Sequence, residues 1–343
     1  MSENAYLKWL SSTKSCFWND SAVYSHLDDA IANGATGVTT NPFLIKMSLY
    51  KDTDFWRPYL EGMDKSLTGD DKAEEIIRRI TVAIAKKFQH IFDATGGKQG
   101  YVCAQVNPLL QSDTEKMIEQ AKRLNSWAKN IAVKLPGTAA GIDAIEECAA
   151  LGITTVGTVS FTVPQAVEIA KRQDIGAKRA AKAGITGKNA FSVVMVGRQD
   201  DYLRDVAKDN RVSVSEEDIK QSGVAVIKRA YAIVKEAGYA SQLMPAALRG
   251  TYHAFALSGA DMSMSIATNI QDMLVDVAQP FDEGINKAVD AGTIDRLMQM
   301  DEFCRAYEPD AMAPHEFISY GICQRTLSQF IEGGWLPIVN FVL

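Results

Sequence analysis

The chain has 343 residues, with 36 lysines and arginines against 42 aspartates and glutamates, for a formal net charge of −6. Its 47% hydrophobic and 23% charged content is that of an average globular protein, too apolar for disorder, and it lacks the basic surplus of a general nucleic-acid binder. The length fits two domains of roughly 150 residues, or one α/β barrel of about 250 residues with roughly 90 residues of additions.

Taken in chain order, short β-type runs occur at Ser15–Asp20, Gly37–Asn41, Tyr101–Asn107, Ile131–Leu135, Thr154–Ser160, Phe191–Val196, Leu243–Leu248 and Met262–Ala267. Helix-like segments follow them, among them Asp113–Ala128, Ala139–Leu151, Val163–Ala183 and Glu216–Ala237. Eight strand–helix alternations without a charged linker predict one (β/α)8 TIM barrel, with its core over about residues 15–279. Additional helices are expected after the second strand, near Phe55–Met63 and over Asp71–Phe92. The latter repeats apolar Ile76, Ile77, Ile80, Ala83 and Ile84 at helical spacing. Residues 280–343 form a C-terminal helical extension whose apolar end, Trp335–Val339, is expected to pack on its own barrel or on a second subunit.

Several functions are excluded early. Cys16, Cys103, Cys148, Cys304 and Cys323 are odd in number and form no CxxC pair, so neither a disulfide framework nor a zinc site is expected. The four histidines, His26, His90, His253 and His315, are isolated, and no metal is expected. The uncharged run Cys148–Val167 carries two glycines, several threonines and Pro164, and reads as helix end, strand and turn rather than a membrane span. The N-terminus lacks a basic and apolar leader pattern, and a cytoplasmic protein is expected.

In a barrel of this type, chemistry lies at the C-terminal ends of the strands. Those ends carry Asp20, Asn41, Gln105 with Asn107, Lys134, Thr158 with Ser160, and, just beyond, Arg198 and Arg249. Lys134 is the sharpest candidate. It is the only charge in Ile131-Ala132-Val133-Lys134-Leu135-Pro136, and alternation puts it with Ala132 on one face, toward the barrel interior. Burial disfavours an ammonium, and a neutral amine is a nucleophile that forms a Schiff base with a ketone. The alternative is a structural ion pair with Asp20 or another strand-end acid. Lys46 also has apolar neighbours, but it lies past Asn41-Pro42 on a helix from which it can reach water.

Two motifs then carry a resemblance: Gly37-Val38-Thr39-Thr40-Asn41-Pro42-Phe43-Leu44-Ile45 and the Lys134 strand. They are followed in order by Gly141-Ile142, Gly152-Ile153-Thr154, Gly157-Thr158, Gln165-Ala166, Val196-Gly197-Arg198, Ala246-Ala247-Leu248-Arg249 and Ser258-Gly259-Ala260-Asp261. Over about residues 15–270 the chain resembles the transaldolase family, Schiff-base-forming (β/α)8 enzymes. The resemblance implies Lys134 as the Schiff-base lysine, Asp20 as the acid/base, and Gln105 and Thr158 as positioning the catalytic water. It also implies substrate binding by Asn41, Thr39, Ser160, Arg198 and Arg249, with the two arginines on a phosphate. Their planar guanidinium donors suit that group. No metal or organic cofactor is implied. The expected partners are phosphorylated sugars, with neither nucleic acid nor membrane, and a homo-oligomer, a dimer first.

The chain departs from the family pattern in four places. Gln105 stands where transaldolases usually carry a water-activating glutamate, as in the fructose 6-phosphate aldolase branch, and a glutamine cannot accept the water's proton. Met195 stands where that branch has a tyrosine and transaldolases commonly a phenylalanine. Val193 replaces a family serine while Ser192 is one residue off, which turns it to the other face. Ala247 replaces a serine two residues before Arg249. The expected reaction is transfer of a dihydroxyacetone unit from a ketose phosphate to an aldose phosphate. The alternatives are an aldolase that releases free dihydroxyacetone, which Gln105 favours, and a sugar-phosphate-binding barrel without catalysis.

Overall fold

The computed structural model describes residues 3–187 and 189–343. Eight strands form one parallel sheet: β1 (Cys16–Asn19), β2 (Ala35–Val38), β3 (Tyr101–Gln105), β4 (Ile131–Pro136), β5 (Thr155–Thr158), β6 (Ala190–Val194), β7 (Gln242–Pro245) and β8 (Ser263–Ile266). Strands β1 to β7 pair in sequence order and β8 returns to pair with β1. A bridge between Leu243 and Met262 joins β7 to β8 and closes the (β/α)8 barrel.

Each strand overlaps its expected run: β2 begins two residues earlier, β6 and β7 one residue earlier, and β4 ends one residue later. All six residues of β4 are buried, because helices cover the outside of the sheet and side chains fill the inside. Trp18, Tyr101 and Phe191, from β1, β3 and β6, meet across the interior. The Trp18 ring lies 5.0 Å from Phe191 and 6.4 Å from Tyr101, an edge-on contact and a stack that fill the lumen with aromatic rings. These residues come from the first half of their strands or from mid-strand, whereas the polar residues named above cluster at the opposite, C-terminal ends.

The uncharged run Cys148–Val167 forms a helix end, β5 and the start of the Val163–Lys182 helix, as expected. Among the described residues, no helix is long and apolar enough to cross a membrane. The five cysteines are free.

The two additions also take their expected places. Between β2 and β3 lie helices Pro42–Lys51, Thr53–Leu60 and Gly69–Ala94; the last buries Ile76, Ile77, Ile80, Ala83 and Ile84 along one face. The C-terminal extension runs through helices Ala291–Leu297, Asp301–Tyr307 and Gly321–Phe330 into a turn at Ile331–Trp335 and a short helix, Leu336–Val339. Its apolar end packs on its own barrel. Trp335 and Ile338 are buried, and the Trp335 indole N–H donates to Asp70 Oδ1 at 2.7 Å. Gly334 lets the tail approach the Pro42–Phe43 backbone, since a Cβ there would sit 2.6 Å from the Phe43 nitrogen. The tail therefore crosses the barrel beside the Asn41-Pro42-Phe43 turn, at the polar end.

Candidate active site

At that end is a cavity of about 240 Å³. Seven of the nine residues singled out from the sequence line it: Asp20, Thr39, Asn41, Lys134, Thr158, Arg198 and Arg249. Lys134 is 6% exposed, on a strand whose neighbours Val133 and Leu135 are fully buried. No carboxylate lies within 4.0 Å of its Nζ among the described residues, so the ion-paired alternative for Lys134 is not realised. The Cys103 thiol, one strand over, is pushed by burial up to about 11, against the pull of the nearby Lys134 charge, so it offers no competing thiolate.

Asp20, at the end of β1, is placed from both neighbouring strands, β8 and β2. Its backbone N–H donates to Ile266 O, and its Oδ1 accepts from the Thr39 hydroxyl at 2.6 Å. Thr39 is also 2.6 Å from the Ser265 hydroxyl of β8. Asp20 Oδ2 has no protein partner among the described residues. Asn41 caps the Pro42–Lys51 helix: its Oδ1 accepts from the Leu44 N–H, and Pro42 takes the first helical position, where no N–H is needed. With the oxygen engaged, the Asn41 amide nitrogen is the group available to donate to a ligand hydroxyl.

Gln105 lies in register opposite Lys134 across the β3–β4 pair. It is 6% exposed, and its buried Oε1 has no partner. Thr158 ends β5 and lines the cavity. Ser160 does not. It is fully buried, its Oγ lacks a partner, and it stands outside the cavity wall. Between them Val159 adopts φ 54°, a left-handed conformation costly for a β-branched residue, which breaks the strand alternation and turns Ser160 away. The one-residue offset on β6 has the effect expected of it. Val193 lines the cavity, while Ser192 donates to Ala166 O on the outer side. Met195 is in the cavity wall.

The two arginines converge from separate segments. Arg198 sits in the first turn of the Val196–Asp209 helix, and Arg249 follows β7 in a loop. Gly197 lets them approach, since a Cβ there would lie 2.2 Å from Ala247 O and 2.6 Å from Arg249 Cγ. In the same loop Ala247 holds φ 57°, a second strained residue beside the cavity. The Arg249 guanidinium is held by Asp201 Oδ2 and Ala247 O, each at 2.8 Å, and its backbone N–H donates to His253 Nδ1. His253 is itself buried, with Nε2 3.1 Å from Asp200. Among the described residues, no carboxylate contacts Arg198. Its Nη2 donates to Gln329, its Nη1 makes a long contact to Thr326, and its buried Nε–H has no partner. Burial, and then repulsion from Arg249, bring the Arg198 guanidinium down to about 10, which leaves it charged at neutral pH.

Sequence reasoning did not single out Ser265, Asn269 or Phe330, which also line the cavity. Ser265 stands in β8, where the polar residues of a correctly located strand were the available signal, and Asn269 lies in the first turn of the Thr268–Met273 helix that follows.

A family model described as Transaldolase/Fructose-6-phosphate aldolase matches residues 17–316. The chain belongs to this family. It is 31% identical over 172 residues to "Transaldolase 1" of Streptomyces avermitilis, covering 49% of this chain and 45% of that protein. It is 31% identical over 215 residues to "Transaldolase" of Mycobacterium ulcerans (58% and 55%), and 26% identical over 196 residues to "Transaldolase" of Thiobacillus denitrificans (56% and 54%). The matched stretch thus spans about half the length of these curated relatives.

Proposed function

We propose that this member of the transaldolase/fructose-6-phosphate aldolase family is a transferase that moves a dihydroxyacetone unit between sugar phosphates through a Schiff base on Lys134. The observation that carries this reading is Lys134 itself, a buried lysine without an ion-pair partner that opens on a cavity shared with Asp20. A buried amine of this type otherwise costs stability for no structural return.

In the proposed reaction the Lys134 amine adds to the ketone carbon of a ketose phosphate. Loss of water from the carbinolamine leaves a protonated imine, which serves as the electron sink. Asp20 takes the proton of the hydroxyl on the adjacent fragment, the carbon–carbon bond breaks, and the aldose phosphate leaves. The electron pair of that bond becomes the enamine on Lys134. The enamine then adds to the acceptor aldehyde, Asp20 returns the proton, and water releases the new ketose phosphate. The Asn41 amide suits a donor-sugar hydroxyl, and Thr158 and the unpartnered Gln105 carbonyl suit the water. Arg198 and Arg249 form a cationic end for the phosphate.

The Gln105 carboxamide favours a second reading, in which free dihydroxyacetone is released, because it is the aldolase branch that carries glutamine there. One pair of experiments decides. Borohydride reduction with fructose 6-phosphate is expected to leave a covalent adduct on Lys134, and no adduct would defeat both readings. Glyceraldehyde 3-phosphate formation is expected to need an acceptor such as erythrose 4-phosphate, whereas acceptor-independent turnover would establish the aldolase.

A further inference from the structure

We infer that Gln329, on the C-terminal Gly321–Phe330 helix, is the positioning residue that makes Arg198 an anion receptor, and that the extension thereby sets the preference for phosphorylated substrates. The inference rests on the phosphate-site reading above, which it deepens.

Four observations carry it. Arg198 is a largely buried cation with no carboxylate in contact, an arrangement that is costly unless an anion completes it. Its terminal nitrogens are engaged only by neutral acceptors of one helix, Gln329 Oε1 and, at 3.4 Å, Thr326 Oγ1. Its Nε–H is buried and unpartnered, and the side chain lines the cavity. Phe330, next to Gln329 in sequence, lines the same cavity and stands 5.9 Å from the guanidinium.

Arg249 supplies the contrast. It is held by the Asp201 carboxylate, which offsets part of its charge. A neutral amide holds Arg198 in place without an ion pair, and Asp201 and Asp20 act on its charge only at a distance. A carboxylate at residue 329 would fix the same geometry and cancel the charge. Orientation and charge can therefore be separated by substitution. Thr326, Gln329 and Phe330 also lie beyond residues 17–316, the stretch matched by the family model, so this part of the site belongs to the chain's own extension.

The test measures binding of inorganic phosphate by calorimetry to the wild-type chain, Gln329→Ala, Gln329→Glu and Arg198→Ala. It is joined to KM and kcat for fructose 6-phosphate and for unphosphorylated fructose. Loss of a hydrogen bond that orients a charged donor is expected to weaken phosphate binding by Gln329→Ala about tenfold. Gln329→Glu, nearly identical in shape, is expected to weaken it further, toward the level of Arg198→Ala. Both variants should raise KM for fructose 6-phosphate while leaving kcat, and KM for fructose, within about twofold of wild type. Thermal unfolding of Gln329→Glu within about 2 °C of wild type would show that the fold is kept. Phosphate affinity unchanged in both variants, no phosphate binding by the wild type, or equal losses on fructose and fructose 6-phosphate would each overturn the inference. Borohydride trapping on Lys134 is scored separately. Phosphate results as expected without an adduct would defeat the Schiff-base reading and leave this one standing.

Discussion

Replacing Lys134 by methionine separates chemistry from stability, because the two are predicted to move in opposite directions. Methionine keeps the unbranched stem and the volume and removes the ammonium. Exchanging a buried ionic group for an apolar one of similar size is neutral or stabilising by about 1–4 kcal/mol. Lys134 is 6% exposed between fully buried neighbours, but its amine opens on a cavity of about 240 Å³ that admits water. Its desolvation is therefore partial, which puts the gain near the lower end, about 1 kcal/mol. Unfolding entropy near 2.1 cal/mol/K per residue gives about 0.7 kcal/mol/K for 343 residues, so Tm should rise by about 1.5 °C. Calorimetric melts of wild type and Lys134→Met, run beside borohydride trapping, check both halves. The expected result is a lost adduct with a Tm equal to or slightly above wild type. A Tm several degrees lower would show that the ammonium is held by a structural partner, and would refute the argument that its burial serves reaction.

Three further predictions follow from particular contacts. Arg249→Ala should raise KM for fructose 6-phosphate by about tenfold or more, as expected for a lost hydrogen bond to a charged group, and should leave KM for fructose nearly unchanged; equal losses on both would refute the phosphate role. In the proposed reaction Gln105→Glu supplies a base for the water, a contribution worth about 10²–10⁴ where no other base acts. With Asp20 present and Lys134 in register to pair with the new carboxylate, a rise in kcat of about tenfold is expected, and a fall would show that the neutral amide is required. In Arg296→Ala, Asp218 loses its guanidinium. The Arg296 bonds, with Ser215 and Thr293, hold the Asp218 carboxyl well below the usual carboxylate range, so their stabilisation is present above about pH 4 and is lost as pH falls below it. Arg296 is half exposed, so solvent screens the pair and a modest loss of stability in urea unfolding is expected at pH 7, a gap that should narrow toward pH 3; a gap that widens on acidification would reverse the sign assigned to Asp218.

The barrel was legible because its signals are local. Short β-type runs between helical patterns located every strand, and alternation within β4 sufficed to turn Lys134 toward the cavity. The offset of Ser192 from Val193 was read correctly for the same reason, since side chains alternate strictly along a regular strand. Ser160 shows where that logic ends. The left-handed Val159 breaks the alternation, and nothing in Thr158-Val159-Ser160 announces a positive φ at a β-branched residue. The Val196–Asp209 helix was not singled out: its first turn, with Gly197 and Arg198, shows no apolar stripe, and Gly197 there lies against the Ala247 carbonyl. Gln329 and Phe330 lie more than a hundred residues from Arg198 in sequence. Only the packing of the extension on its own barrel brings them together, so no periodicity could have paired them.

The polar contacts around Asp20 fix how a proton can be handled there. Thr39 has one hydroxyl proton and gives it to Asp20 Oδ1, so the 2.6 Å contact between Thr39 and Ser265 must run with Ser265 as donor. The chain Ser265–Thr39–Asp20 therefore ends on a carboxylate oxygen that is already satisfied as an acceptor. A proton arriving at Asp20 goes to the other oxygen, Oδ2, which has no protein partner. In the proposed reaction that oxygen receives the substrate hydroxyl proton and returns it to the acceptor, while Oδ1 stays anchored and the carboxyl plane does not rotate. Ser265→Ala would remove the far end of this chain and leave Thr39 and Asp20 in place. Thr39 would then be free to turn its donor elsewhere, so the variant is expected to lower kcat about three- to tenfold, as for one net hydrogen bond. A kcat equal to wild type would mean that Thr39 holds the carboxylate without help from Ser265.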